Sequence, residues 1–354
     1  MTAEKRRIAI ATPSGNIGSN VLERIALARA ADPAHADVEI VLLARKPAKF
    51  APWAASGVTV HGGRLDDPSF LIEATRDVSA LFWATPNSFE PGLTLRAGYR
   101  GFAESAAAAI TANRIGHVVH LSGFAHVNDG AGDESLFGAL ADTERILDDA
   151  VEELRDAHPD ERFGITHVRA GFLFENFFGQ LEGLRDKGRM YLPVSMRRSI
   201  PMVASRDVAE VIADRLLDDP PSGRVLCGAY GPKDVAFGEV AEALTAGLGR
   251  PVRVRRLPRL LLRAEMLRLG RDPRAVQAFM HSFRAITRGR VTAQPGRDAG
   301  STTPTSLETW AAEVLSPIIE SGEGAMCPVR VQYEPPAGAS RDAALAGGRA
   351  QLPG

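Results

Sequence analysis

The chain has 354 residues, 45% of them hydrophobic and 24% charged, ordinary values for a folded protein that exclude a wholly disordered or coiled-coil chain. Its 42 lysines and arginines against 43 aspartates and glutamates leave a net charge of −1, so no global field commits it to nucleic acid or to an anionic membrane. Two cysteines, Cys227 and Cys327, exclude a disulfide framework, and no Cys/His cluster has metal-ligand spacing. The apolar run after Arg7 is too short for a signal peptide and no stretch of about 18 apolar residues follows, so the expectation is a cytoplasmic protein.

In chain order, short β-branched runs at 7–11, 38–43, 58–61, 80–84, 117–121 and 165–169 are predicted strands. Helical patterns at 17–30, 67–75, 93–113 and 135–158 separate them, the alternation of βαβ units around a parallel sheet. In the last of these helices Leu136, Leu140, Thr143, Ile146, Leu147 and Val151 recur at helical spacing, with acidic residues assigned to the opposite face. After Arg169 the rhythm changes. A Phe- and Gly-rich segment, 171–190, is followed by 200–203, a helix at 207–218, a strand at 224–227 and a helix at 237–248 stopped by Gly249. A strand at 252–257 and Arg-rich helices at 259–269 and 273–288 complete a smaller lobe, then a loop at 291–304, a closing helix at 306–320 and an unpatterned tail.

The strongest motif is the strand beginning at Ile8 that runs through Thr12, Pro13, Ser14, Gly15, Asn16, Ile17 and Gly18 into a helix. Gly15 admits a pyrophosphate to the backbone, Gly18 lets the helix pack against the strand, and the helix N-terminus offers free N–H groups and about half a positive charge. Thr12 and Pro13 replace the first glycine of the usual loop, which predicts a somewhat different turn. Past the second strand stand Arg45 and Lys46, where an acidic residue would hold a ribose 2′-hydroxyl. A guanidinium there binds a 2′-phosphate through paired hydrogen bonds, so the expected cofactor is NADP(H) rather than NAD.

From here the sequence resembles the NmrA-like family of atypical short-chain dehydrogenases/reductases over about residues 7–320. The resemblance is carried by the motifs at 14–18, 44–49, 81–86, 117–122, 166–172 followed by Glu175 and Asn176, 201–210 and 305–310. It implies an α/β fold, a Rossmann-type doubly wound parallel sheet with a small α/β C-terminal lobe. The implied division is an NADP-binding domain at 1–170, a substrate-binding lobe at 171–320 interleaved with it, and a flexible tail at 321–354. By position, Gly15, Asn16, Ile17 and Gly18 would cover the pyrophosphate, Arg45 and Lys46 the adenosine phosphate, and Thr85 and Pro86 the middle of the cofactor. Ser122, Phe172, Glu175 and Asn176 would lie near the nicotinamide. Gly63-Arg64 stands where many relatives have Gly-Asp, so Arg64 is expected to stack on the adenine instead.

Carbonyl-reducing relatives use a Tyr and a Lys four residues later on the helix after the fifth strand. Between Arg100 and Met190 this chain has no tyrosine and one lysine, Lys187, so neither that pair nor the catalytic lysine of isoflavone-reductase-like relatives is present. A missing general acid forfeits a factor of about 10²–10⁴. Two substitutes stand out: His126, either a proton donor at the sheet edge or a surface histidine, and Tyr191, either a donor reaching the cleft or a packing residue. Glu175 and Asn176 are placed to polarise a substrate, while Phe174, Phe177 and Phe178 fit a pocket wall; His120 and His167, within strand runs, are expected to be satisfied residues. A quinone-like, enone or aromatic acceptor relaxes the need for an acid, because hydride addition gives an anion that water protonates. The chain is therefore expected to be an NADPH-dependent oxidoreductase acting on such an acceptor, or alternatively a non-catalytic NADP(H)-binding redox sensor.

Residues 250–298 hold thirteen arginines against three acidic residues, a local charge of +10, so the rest of the chain carries −11. Either this is an amphipathic lid with a solvated basic face or it meets an anionic partner. The expected partners are a small-molecule substrate, an acidic protein at 250–298 and a second copy of the chain, with no nucleic acid and no membrane.

Overall fold

The alternating apolar runs build a seven-stranded parallel sheet in the computed structural model, which describes residues 6–86, 93–127, 134–268, 270 and 272–321. The strands are β1 (Arg7–Ala11), β2 (Glu39–Ala44), β3 (Thr59–Gly62), β4 (Ala80–Trp83), β5 (His117–Gly123), β6 (Gly164–Ala170) and β7 (Gly223–Ala229). Their order is β7-β6-β5-β4-β1-β2-β3, with β1 in register Arg7↔Glu39 through Ala11↔Leu43 against β2 and Ile8↔Ala80 through Ile10↔Phe82 against β4. The chain winds outward from β1 to β3, then returns to β4 and winds the other way, which makes a Rossmann-like α/β fold.

Both faces of the sheet are covered, which is why its strands read as near-continuous apolar runs. On one face Ile8 and Ile10 pack with Val21, Leu22 and Ile25 of α1 (Asn16–Ala31) and with Val208, Ile212 and Leu216 of α4 (Ser205–Leu217). On the other, the small Ala9 and Ala11 admit Phe102 and Ala106 of α2 (Leu95–Asn113) and Leu147 and Val151 of α3 (Leu136–Ala157). No helix among the described residues is long and apolar enough to cross a membrane.

A second core lies past Ala170. Phe174 and Phe178 each lie 5.6 Å, centroid to centroid, from Trp310, and Phe237 packs edge-on against Phe172. The Phe- and Gly-rich segment folds as a short strand, Phe172–Leu173, a tight turn of helix at Phe174–Gln180, a helix at Leu181–Lys187 and a strand at Arg189–Leu192. Residues Ser199–Val203 form a strand between Phe172–Leu173 and Asp234–Ala236. The predicted loop at 291–304 opens with a strand, Val291–Ala293, antiparallel to Ala125–Val127; the partner is so distant in sequence that no local pattern announces it. Gly249 ends helix Val240–Leu248 with φ of 63°, the left-handed conformation that suits glycine there. Two helices follow, the exposed α5 (Arg259–Arg268) and α6 (Pro273–Arg288), which buries Phe283 and Ile286 in the second core. The tail expected at 321–354 lies, beyond Ser321, outside the described residues.

Candidate functional site

Where strand order reverses, the carboxyl ends of β1 and β4 lie side by side, the point at which doubly wound folds place their ligand crevice. β1 ends at Ala11, and Thr12 turns with φ of 52°, in the left-handed region. The Gly15 N–H donates to the Thr12 carbonyl at 3.0 Å, and α1 starts at Asn16 with no side chain capping its N-terminus and no acid in its first turn. A β-carbon on Gly18 would stand 2.2 Å from the Thr12 carbonyl oxygen, so only glycine lets α1 approach. Thr12, where the usual loop has its first glycine, takes a left-handed backbone, at a cost of about 1–2 kcal/mol for a residue with a β-carbon. Ser14 is exposed and Ile17 buried, so the loop presents backbone rather than side chains to a ligand.

Around this loop, Arg45 and Lys46 are exposed just beyond β2 with no carboxylate partner among the described residues. Thr85, past β4, has a buried hydroxyl without a hydrogen-bond partner among the described residues, next to the buried Pro86. An uncapped helix end, two unpaired cations and an unsatisfied hydroxyl around one crevice fit a phosphate-bearing dinucleotide. Arg64 does not lie free to stack on a ring. Asp66, two residues on, takes its guanidinium in a fork, Nε to Oδ1 at 3.0 Å and Nη2 to Oδ2 at 2.6 Å.

Ser122, at the end of β5, is buried, and its hydroxyl helps to hold down the carboxyl of Glu144 on α3. Glu144 also accepts a fork from Arg169 of β6, at 2.8 Å from Nε and 2.5 Å from Nη2, with both side chains 6% exposed. Burial alone raises the Glu144 carboxyl, but the hydrogen bonds from Arg169 and Ser122 together with nearby positive charge outweigh it and hold it at about 2. Arg224 of β7 joins Glu144 to Asp148, its Nε 2.9 Å from Asp148 Oδ2. Asp148 meets His167 Nε2 at 2.8 Å, and His167 Nδ1 meets His120 Nδ1 at 2.9 Å, so a single proton lies between the two rings. His120 is fully buried, and that burial holds its imidazole at about 3.

The Gly123 α-carbon faces α3 closely: a β-carbon there would come 2.8 Å from Leu140. Leu140 and Glu144, one turn apart, are thus the α3 residues turned toward the end of β5. These two α3 positions hold an aliphatic side chain and an arginine-bound carboxylate.

Several expected site residues have other work. Tyr191 is 40% exposed, on the opposite side of its strand from the buried Met190 and Leu192, so the proposed donor faces solvent beside Arg189. The His126 backbone pairs with Thr292, and its side chain lies outside what the structure describes. Phe174 is buried against Trp310 and is core rather than pocket wall. Glu175 accepts from the Ser205 N–H, from Ser205 Oγ at 2.8 Å and from Trp310 Nε1 at 3.1 Å, tying the start of α4 to the closing helix; its burial raises the carboxyl. Asn176 is exposed, and Phe172, half-buried, packs on Phe177 and Phe237. Glu144, Arg169 and Arg224 went unnoticed in the sequence. Their one local signal is a carboxylate, Glu144, inside the apolar stripe between Leu140 and Leu147.

The sequence pattern of the NmrA-like family matches residues 4–294. The chain belongs to that family. This NmrA-like chain is 27% identical over 246 residues to an NAD(P)H azoreductase of Xenophilus azovorans, across 70% of this chain and 75% of that protein. Its fold is similar to that of Citrobacter sp. triphenylmethane reductase complexed with NADP(H), with a TM-score of 0.64 at 19% identity, covering 86% of this chain and 98% of that one. It is similar as well to the NADPH-dependent quinone oxidoreductase of Escherichia coli, with a TM-score of 0.63 at 20% identity, covering 87% and 99%.

Proposed function

We propose that this NmrA-like chain is a cytoplasmic NADPH-dependent oxidoreductase that reduces a small aromatic, quinone-like or enone acceptor. Its main support is the crevice itself: the uncapped start of α1 behind Gly15 and Gly18, with Arg45 and Lys46 unpaired at the rim. The α1 N–H groups hold the pyrophosphate, and Arg45 with Lys46 holds the 2′-phosphate that separates NADPH from NADH. The Thr85 hydroxyl, without a partner among the described residues, gains one. Bound NADPH supplies the hydride.

No tyrosine stands between Arg100 and Met190, and the Ser122 hydroxyl lies beside the ionised Glu144, which competes for its hydrogen, so Ser122 is a poor proton donor to a carbonyl. An acceptor whose reduced form is a stabilised anion, such as a hydroquinone monoanion, takes its proton from water. The azoreductase, triphenylmethane reductase and quinone oxidoreductase likenesses are in keeping with conjugated acceptors.

The test mixes purified chain with NADPH and, separately, 2-methyl-1,4-naphthoquinone, an aromatic enone, an azo dye and a simple aliphatic ketone. Loss of NADPH absorbance with a conjugated acceptor and none with the ketone is expected. Tight NADPH binding with no turnover of any acceptor refutes the reductase reading and favours the redox sensor, which the missing phenol and ammonium equally allow.

A further inference from the structure

α5 and α6 carry charge and apolar surface that the fold leaves uncovered. α5 has no buried residue, and its Leu260 and Leu261 are 79% and 60% exposed. α6 packs beside it and exposes Phe279. Arginines surround these side chains. Arg284, Arg290 and Arg259 stand near enough to Arg288 that their like charges, Arg284 foremost, push its guanidinium below the usual value. The adjoining strand pair adds to the charge: Arg253 lies opposite Arg189 and Arg255 opposite Tyr191, all exposed. Like charges directly opposite destabilise a strand pair, and Arg253, Arg255, Arg259, Arg284 and Arg288 have no carboxylate partner among the described residues.

We propose that this surface docks on an anionic lipid bilayer, with Leu260 and Leu261 entering the headgroup boundary and Arg259, Arg284 and Arg288 meeting lipid phosphates. A second copy of the chain fits less well: across a two-fold axis arginine would face arginine, and pairing with the acidic remainder of another copy is a heterologous contact that leaves Leu260 and Leu261 with no apolar partner among the described residues. An acidic protein answers the arginines but not two adjacent leucines that protrude rather than line a groove. With no spanning helix among the described residues, the contact is peripheral. It does not depend on the NADPH reading.

The experiment is sedimentation of the full chain with vesicles of phosphatidylcholine alone or mixed with phosphatidylglycerol. Binding is expected only with phosphatidylglycerol, weakening as salt shortens the reach of the charges. Arg284→Gln and Arg288→Gln should each weaken it about fivefold. Leu260→Ser combined with Leu261→Ser should weaken it by at least about tenfold. The circular dichroism spectrum and melting curve, unchanged in all variants, report an intact fold. The proposal is overturned if the anionic vesicles do not bring the chain down, or if the leucine variant binds them as the parent does. Tighter capture by polyglutamate or duplex DNA than by these vesicles overturns it as well.

Discussion

Replacing Glu144 by glutamine keeps the shape of the side chain and removes the charge that Arg169 and Arg224 share. Two routes give the size of the effect. A carboxyl held at about 2 in the fold against 4.5 in the open chain contributes about 3 kcal/mol, fully present above pH 4.5 and lost as pH falls through 2. Breaking a buried ion pair from one side costs about 3–5 kcal/mol, because the remaining cation is stranded. At about 2 °C per kcal/mol for a chain of this length, Glu144→Gln should melt about 6–10 °C below the parent at neutral pH, read by circular dichroism. Pairing it with Arg169→Met removes the stranded charge and should recover most of that loss, so the double-variant effect is well short of the sum of the single ones. A drop of less than about 2 °C, or strict additivity, would refute a tightly coupled buried pair.

Three further outcomes follow from the crevice and the core. Gly18→Ala drives a methyl into the Thr12 carbonyl and should displace α1 from β1; a misplacement of about 1 Å costs on the order of 10²-fold in rate, so unchanged NADPH binding and turnover would contradict the close approach. Arg45→Asp should lower kcat/KM for NADPH relative to NADH by about 10- to 150-fold, the worth of one charged hydrogen bond, and an unaltered ratio would remove Arg45 from the 2′-phosphate. Burial lowers His117 and His120 from 6.5 to about 4 and about 3, so the unfolded chain takes up protons that the fold refuses as pH falls below 6.5. Each should cost about 2 kcal/mol at pH 5, seen as a lower urea midpoint than at pH 7, and His120→Leu should flatten its share of that slope.

The sheet was legible because β1 and its neighbours are buried on both sides, which writes their positions as apolar runs without reference to the rest of the chain. The turn from β1 into α1 was legible for a related reason: Gly15 and Gly18 act on their own helix and strand. The lobe was not. Phe174 and Glu175 looked like a pocket wall with a polar tooth, yet both answer to Trp310, a partner in the closing helix that no periodicity connects to them. Glu144 was assigned to the solvated face of α3 because acids usually go there, whereas Arg169 and Ser122, arriving from two different strands, turn it inward.

That inward carboxylate also closes an evolutionary route. A tyrosine at 140 and a lysine at 144, four residues apart on α3 and facing the end of β5, would bring the new ammonium between Arg169 and Arg224 with its counter-charge removed in the same stroke. Gain of a proton donor would thus demand that two strands be rewritten together with the helix. Any change of charge at 144 is thereby tied to changes at 169 and 224.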